Sequence, residues 1–478
     1  MLRFYFCCLA AFLLAGRSVA QSNEIWTLEK SIQYAYDNNI SIKQGVLNQR
    51  LAQLKLQQSN LSQIPNVNAA STYGKNYGRS INPVTNQFVD GNFNFLSLSG
   101  SADVLIFGWF QKRNIIARDK FSLQAANSDF DQLKYDISLN VLTGYLRIML
   151  AQEQVNINRK QVSISQSQLT SVKEFVNVGE LPDINAAQLR AKLAADSAKL
   201  ISSISRYNTS VVEMKALLNL SFTAPFNTLA PDTNLYNNIS VATTNPEQLF
   251  TTASNVLGSV KSSQYRVAAA EKDLMHYKGA LLPQLGAIGQ VGTNYTSVTR
   301  SLTTTGVSNV AVEGAYTNID GNQYPIYQTT PTYTTATTPF GTQVDNNFRT
   351  LFGLSLTVPI FNAWQSMYSV KAAKIALQSR ELDKYDTELK LRQDIYQAVE
   401  QNNSAGQTYI AAQRAVVAAR QSFDYANERY KVGLINTVEY LTIQNALYDA
   451  ESGLATARYD LLFKQKLIDY YSGKPLKL

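Results

Sequence analysis

Only two cysteines occur in this 478-residue chain, Cys7 and Cys8, and both lie in an N-terminal segment with its own pattern. Arg3 gives a basic start, Phe4 to Leu14 is an apolar run, and Ser18-Val19-Ala20 precedes Gln21. The pattern predicts a secretory signal peptide over residues 1–20, too short to serve as a membrane anchor. Neither cysteine has the small-residue context of a lipidated one. The mature protein then has no thiol, which excludes a disulfide framework and cysteine chemistry. Histidine is nearly as scarce. His276 is the only one, so histidine metal sites and histidine-based triads have no parts to use. No phosphate-binding glycine loop is present, because Gly286, Gly289 and Gly292 fall on an alternating segment that no helix follows. No catalytic residue, metal or cofactor is expected.

Long apolar runs are also missing. No stretch after the leader approaches 18 uninterrupted apolar residues, so a membrane form of this chain must be a closed β-barrel. Charge is sparse at 16%. Without Arg3 and Arg17 the 43 basic residues become 41 against 35 acidic ones, a net of +6. The excess is spread out and fits solubility; it is no nucleic-acid footprint.

Proline and glycine are scarce where it matters most. Residues 109–178 contain no proline and one glycine, Gly144; residues 362–432 contain no proline and one glycine, Gly406. Each block is able to form a helix roughly 100 Å long at 1.5 Å per residue. Each follows a related signature, Val104-Leu105-Ile106-Phe107 and Val358-Pro359-Ile360-Phe361, and each stops at Val-Gly, Val178-Gly179 and Val432-Gly433. Signatures and stops are both 254 positions apart. The chain is therefore one architecture built twice, over residues 21–230 and 231–478.

Alternating segments precede the long blocks. Strands are expected over about 66–77 and 94–107 in the first repeat, and over about 284–296 and 348–361 in the second. Leu96, Leu98, Ala102, Val104 and Ile106 share one face against Ser97, Ser99, Ser101 and Asp103; Phe352, Leu354, Leu356, Val358 and Ile360 oppose Gly353, Ser355 and Thr357. Ten-residue alternation fits a transmembrane β-strand between lipid and a wet lumen. Phe107, Trp109, Phe110, Phe361 and Trp364 stand where an interfacial aromatic girdle belongs. Residues 297–346, rich in Thr, Tyr, Asn and Gly, read as a long polar loop. Four strands are too few to close a spanning barrel, so strands must be shared between subunits. Three chains give twelve; the strand arithmetic requires oligomerisation but not that number.

The helices carry heptads. Val141, Ile148, Val155, Val162, Leu169 and Val176 recur every seven residues, while Leu123, Phe130 and Ile137 precede them with a four-residue stutter. Leu447, Leu454, Leu461 and Ile468 form another series. Helices restart at Pro182-Asp183 and near Asn436-Thr437, so each repeat ends in an antiparallel hairpin, 108–220 and 362–472, tipped by a glycine C-cap.

With these features the chain resembles the TolC-like outer-membrane efflux family. The resemblance covers Trp26 to about Gly473. It is carried by Leu354-Ser355-Leu356-Thr357-Val358-Pro359-Ile360-Phe361-Asn362 entering a long helix, by Tyr430-Lys431-Val432-Gly433-Leu434 at a hairpin tip, and by the duplication. It implies a membrane β-barrel plus an all-α helical barrel: a homotrimer whose twelve-stranded barrel in outer-membrane lipid continues into a periplasmic coiled-coil tunnel. The implied role is the exit duct of a tripartite efflux pump or type I secretion system, working with a periplasmic adaptor (a membrane fusion protein) and an inner-membrane transporter. Adaptor docking would map onto Val178, Gly179, Leu181, Val432, Gly433 and Leu434, with Glu180 interrupting the first tip. A periplasmic gate would map onto Asp424 and Glu428, with Arg420 and Arg429 as candidate partners. The alternatives are a general diffusion porin, which has no use for such helices, and a structural coiled-coil envelope protein, which has no use for the strands.

Overall fold

The computed structural model describes residues 25–228 and 244–477; the expected signal peptide lies outside them. In chain order the first repeat runs β1 (Ile25–Trp26), α1 (Leu28–Asn38), α2 (Ile40–Leu61), β2 (Asn66–Asn76), β3 (Arg79–Ile81), β4 (Phe88–Asp90), β5 (Phe93–Phe107), α3 (Gln111–Asn177), α4 (Asp183–Leu218) and β6 (Asn227–Thr228). The second runs α5 (Pro246–Val256), α6 (Gly258–Gly279), β7 (Gln284–Thr296), β8 (Arg300–Ile319), β9 (Asn322–Thr337), α7 (Phe340–Asn346), β10 (Arg349–Thr357), α8 (Gln365–Lys431) and α9 (Thr437–Tyr471). No helix among the described residues is long and apolar enough to cross a membrane.

Two constant offsets relate the repeats. The ends of α3 and α8, and the starts of α4 and α9, differ by 254 residues. Both ends of α1 and α5, both ends of α2 and α6, and the starts of β2 and β7 differ by 218. The difference, 36 residues, is extra chain between β7 and β10, where β8 and β9 stand. Each repeat also breaks its first helical segment once, at Asn39 and at Leu257, where a single extended residue separates two helices. The Asn39 side chain restarts the helix by accepting from the Ser41 and Ile42 amides.

One compact unit takes in the chain up to Leu54, Lys120–Ala269 and Leu377–Leu478. It is helical, and its main core gathers Leu28, Ala35, Val141, Leu142, Ile148, Met214, Leu218, Leu257 and Ile395. Val141 and Ile148 are positions of the α3 heptad series, and burying each leucine-sized side chain contributes about 1.5–3 kcal/mol. The short β1–β6 ladder ties the start of the described chain to the end of the first hairpin, with Trp26 stacked on Phe226 at 5.1 Å.

The other unit comprises Lys55–Asp119 and Ala270–Ala376. Its main sheet is antiparallel in the order β2-β5-β7-β10, so the strand shared between repeats is β5 against β7. Alternation gives this sheet one apolar face, with Leu96 opposite Tyr295 and Val104 opposite Ala287. A bulge at Leu105/Phe107 takes Ile106 out of the ladder and out of the expected alternation.

Two expectations need correction. The strand expected to reach 361 stops at Thr357. Pro359 has no amide hydrogen to donate, and it stands where the first repeat has Leu105. The stretch 297–346 is not a loop. It is a β8–β9 hairpin turning at Asp320-Gly321, whose φ values of +50° and +84° fit a type I′ turn, followed by α7. Buried Gln343 locks the base of this hairpin: its amide donates to the carbonyls of Thr296 and Thr338 and accepts from the Thr296 amide.

Candidate functional site

The aromatic junctions are strained alike in both repeats. Trp109 and Phe110, and 254 residues later Ala363 and Trp364, have φ between +50° and +67°. Non-glycine residues in this region cost about 1–2 kcal/mol each, and here they redirect the chain from strand to helix. Matching bonds close the turns: Gln111 N–H to Gly108 O, and Gln365 N–H to Asn362 O. The Trp109 indole donates to Pro283 O at 2.8 Å, which holds that ring at the end of the sheet. Phe107 packs on Trp109 and Phe110, and Lys371 lies over the Trp364 ring. All five expected girdle residues are exposed, Phe361 most of all.

The hairpin tips are a second matched pair. Gly179 and Gly433 have φ of +82° and +75°. Gly179 N–H donates to Val176 O and Glu180 N–H to Phe175 O; Gly433 N–H donates to Tyr430 O and Leu434 N–H to Arg429 O. Both are Schellman closures, which need the left-handed residue that glycine supplies. Val178, Val432 and Leu434 stand exposed beyond them, each near 70%. Leu181 does not join them. It packs against the cluster of Leu169, Val172, Ala186 and Leu189. The start of α9 is capped by Asn436, which accepts from the Glu439 amide. Tyr430 stacks on Tyr440 at 4.4 Å, and the Thr437 hydroxyl donates to Asn185 Oδ1, joining the two tips. A groove of about 640 Å³ between them is lined by Phe175, Leu181, Asn185, Tyr430, Ile435 and Tyr440.

Of the residues expected at a gate, Arg420 pairs with Glu451 on the return helix α9, and Glu428 with Lys431 at 2.8 Å. Within the chain neither arginine meets Asp424 or Glu428. Asp424 borders a cavity of about 310 Å³ shared with Lys160, Arg420, Gln444 and Glu451.

Residues 258–469 match the family model described as outer membrane efflux protein. Outer membrane protein TolC of Escherichia coli (strain K12) is 29% identical over 127 residues, 26% of this chain and 26% of that one. The chain thus aligns with about a quarter of the length of the curated relatives it matches. Among solved structures, one of CusC superposes with a TM-score of 0.74 at 13% identity, covering 94% of this chain and 92% of that one. The Campylobacter jejuni CmeC outer membrane channel gives 0.70 at 16%, covering 93% and 85%. Residues 258–469 thus carry a sequence pattern similar to that family's, and the chain shares its fold with these solved channels.

Sequence reasoning missed two polar clusters. One is a seam inside the hairpins. Asp196, 2% exposed, accepts from Lys192 at 2.7 Å, from Ser165 and from Gln161, and Lys192 also reaches Asn445 at 2.6 Å. Tyr448 donates to Asn158 nearby. Lys192 and Asp196 lie four apart, a spacing usual on solvated helix faces, so nothing local marks them as buried. The other surrounds His276. Arg118 donates to Asp119 and Asp273, both at 2.8 Å, and Ser59 donates to Asp119. Partial burial lowers the His276 pKa, and the neighbouring Asp273 carboxylate partly offsets it.

That shift has a direction in pH. The unfolded imidazole takes up a proton near its ordinary 6.5, where the folded one does not. Folded stability therefore falls as the pH drops below about 6.5 toward the lowered folded value. His276→Gln should flatten this part of the profile, read as the thermal midpoint in detergent between pH 7 and 5. An unchanged slope would remove His276 as its cause.

Proposed function

We propose that the chain is one subunit of an outer-membrane exit duct, with its barrel in lipid and its helical hairpins in the periplasm. The observation that carries this reading is the β2-β5-β7-β10 sheet, apolar on one face and unpaired at both edges. Open edges cannot face hydrocarbon, since each unpaired amide or carbonyl there costs several kcal/mol. The sheet must close with copies of itself, and a homotrimer with twelve strands is the smallest such ring above the eight-strand minimum that matches the family. The exposed aromatics at the strand ends supply the interfacial belt.

In this reading the tips at Val178, Gly179, Val432, Gly433 and Leu434 receive a periplasmic adaptor, which links the duct to an inner-membrane transporter. Their exposed apolar side chains on rigid Schellman turns suit a pre-formed docking surface. Leu181 supports the first tip from within. Asp424 and Glu428, one turn apart on α8, form a three-fold carboxylate constriction that favours cations. Within the chain Arg420 pairs with Glu451, which ties α8 to α9 beside the constriction. The protein selects little and passes what the transporter delivers. No enzymatic activity belongs to this reading.

Two measurements test it. The protein should need detergent and have the native mass of three chains; a water-soluble monomer overturns the duct. Single-channel conductance should rise, and cation preference fall, on neutralising the constriction. Asp424→Asn should act more strongly than Glu428→Gln, because Lys431 already offsets Glu428. Unchanged conductance in both variants would overturn the gate and leave the duct standing.

A further inference from the structure

The return helix α9 carries a polar residue where its packed side calls for an apolar one. Tyr440, Gln444, Leu447 and Leu454 recur at helical spacing along that side. Gln444 is 3% exposed, and neither its amide nitrogen nor its amide oxygen has a hydrogen-bond partner. Among the described residues no other side chain has both ends of an amide buried and unpaired. Because both ends are free, the observation does not depend on which end is nitrogen. Buried polar groups are almost always hydrogen-bonded, so this one calls for a partner from outside the chain.

The amide borders the cavity of about 310 Å³ between α3, α8 and α9. Ligand pockets start at about this size and are mostly apolar, with a few placed polar groups. The walls here have that make-up. Ile157 and Ile164 come from α3, Phe423 from α8 and Leu447 from α9. Several polar neighbours are already engaged: Gln161 donates to Asp196, Tyr448 to Asn158 and Arg420 to Glu451. Gln444 in the interior is not, nor are two charged groups at the exposed rim, Lys160 on α3 and Asp424 on α8. Neither of these two has a partner among the described residues.

We propose that this cavity binds a short apolar dipeptide, which has one ammonium, one internal amide and one carboxylate. The peptide amide donates to Gln444 Oε1 and accepts from Gln444 Nε2. The carboxylate meets Lys160, the ammonium meets Asp424, and the apolar side chains lie on Ile157, Ile164, Phe423 and Leu447. Two residues span at most about 7 Å, which suits so small a cavity, whereas a longer peptide outruns it. A free amino acid lacks the amide, and a hydrocarbon chain leaves Gln444 unpaired. The site lies within one chain, so the proposal goes beyond the duct reading and does not depend on it.

Titration calorimetry of the detergent-purified full chain with L-alanyl-L-leucine tests the site. L-leucine, which lacks the amide, and L-alanyl-L-leucinamide, which lacks the carboxylate, are the comparisons. The dipeptide should bind saturably, one per chain, and both comparisons should bind at least about ten-fold more weakly. Gln444→Leu should weaken the dipeptide by a similar factor. Its thermal midpoint without ligand should be unchanged or higher, because the unpaired amide is gone. Lys160→Gln, on the exposed rim, leaves the core undisturbed and should weaken the dipeptide but not the leucinamide. Absence of saturable binding by the parent chain overturns the proposal and leaves the amide to water. Equal dipeptide affinity of the parent and Gln444→Leu also overturns it, since the binding is then elsewhere. Unchanged dipeptide affinity in Lys160→Gln does the same. None of these results touches the duct, which detergent dependence and native mass test separately.

Discussion

A Lys192→Met chain is expected to lose about 3–5 kcal/mol of opening free energy in its first hairpin, the usual cost of stranding a buried charge. Asp196 on α4 is almost fully enclosed, and Lys192, 2.7 Å away, is its only cationic partner among the described residues. Ser165 and Gln161 still donate to the carboxylate in the variant, but two neutral donors do not replace an ammonium. The loss extends to α9, because the same ammonium bonds Asn445. Hydrogen exchange of the α4 amides reads the effect where it arises, in a segment free to open without global unfolding. Lys192→Met with Asp196→Asn removes both charges and should recover most of the loss. If the single variant protects α4 as well as the parent does, the seam has no structural role.

Gly258→Ala should be nearly as damaging, about 3 kcal/mol, at the upper end of the range for overpacking. A Cβ at Gly258 would stand 2.1 Å from the carbonyl oxygen of Ser128 and 2.9 Å from the Gln132 backbone nitrogen. Both are backbone atoms of α3 and cannot swing aside, so α6 must move off α3. That movement would also break the bond from the Ser259 amide to the Gln132 side chain, 3.2 Å long. Gly341→Ala is the control: its Cβ would meet nothing within 4 Å, and its φ is not positive. It should be neutral or gain up to about 1 kcal/mol. Thermal unfolding of the two variants in detergent separates these outcomes, and equal midpoints would mean that α6 is free to shift.

Much of the first repeat's relation to the second was legible in the chain. The 254-residue offset was visible at Phe107 and Phe361 and at Gly179 and Gly433, because junctions and caps constrain residue type. The 218-residue offset had a signal too, Pro65 and Pro283, which end α2 and α6. It was harder to read because the first helices share lengths but not residues: Thr27 caps one and Asn245 the other. The β8–β9 hairpin was missed for a physical reason. Pro325 and Pro331 lie within β9 and read as breakers, yet the strand is exposed and pairs on one edge, where a missing amide is tolerated.

Among the site residues, the tips were the most legible and the gate the least. A left-handed cap is a local demand on one residue, so Val-Gly at the end of a proline-free run identifies itself. An ion pair is a demand on two distant residues. Arg420 is surrounded in sequence by acidic candidates, and its partner is Glu451, 31 positions away on the return helix. Leu181 illustrates the same limit. Its position near the tip was readable, but its burial under Val172 and Leu189 depends on how α4 packs.

By itself the sequence determined the lengths of the two longest helices, their glycine caps, the two faces of the four strands of the main sheet and the fact of duplication. All of these follow from φ preferences and side-chain periodicity acting over one or two turns. Only the tertiary structure decided that β5 lies beside β7, in which register, and which two edges are left unpaired. Those are choices among distant segments with similar local preferences, settled by side-chain packing across the sheet and by the requirement that every buried amide find a carbonyl.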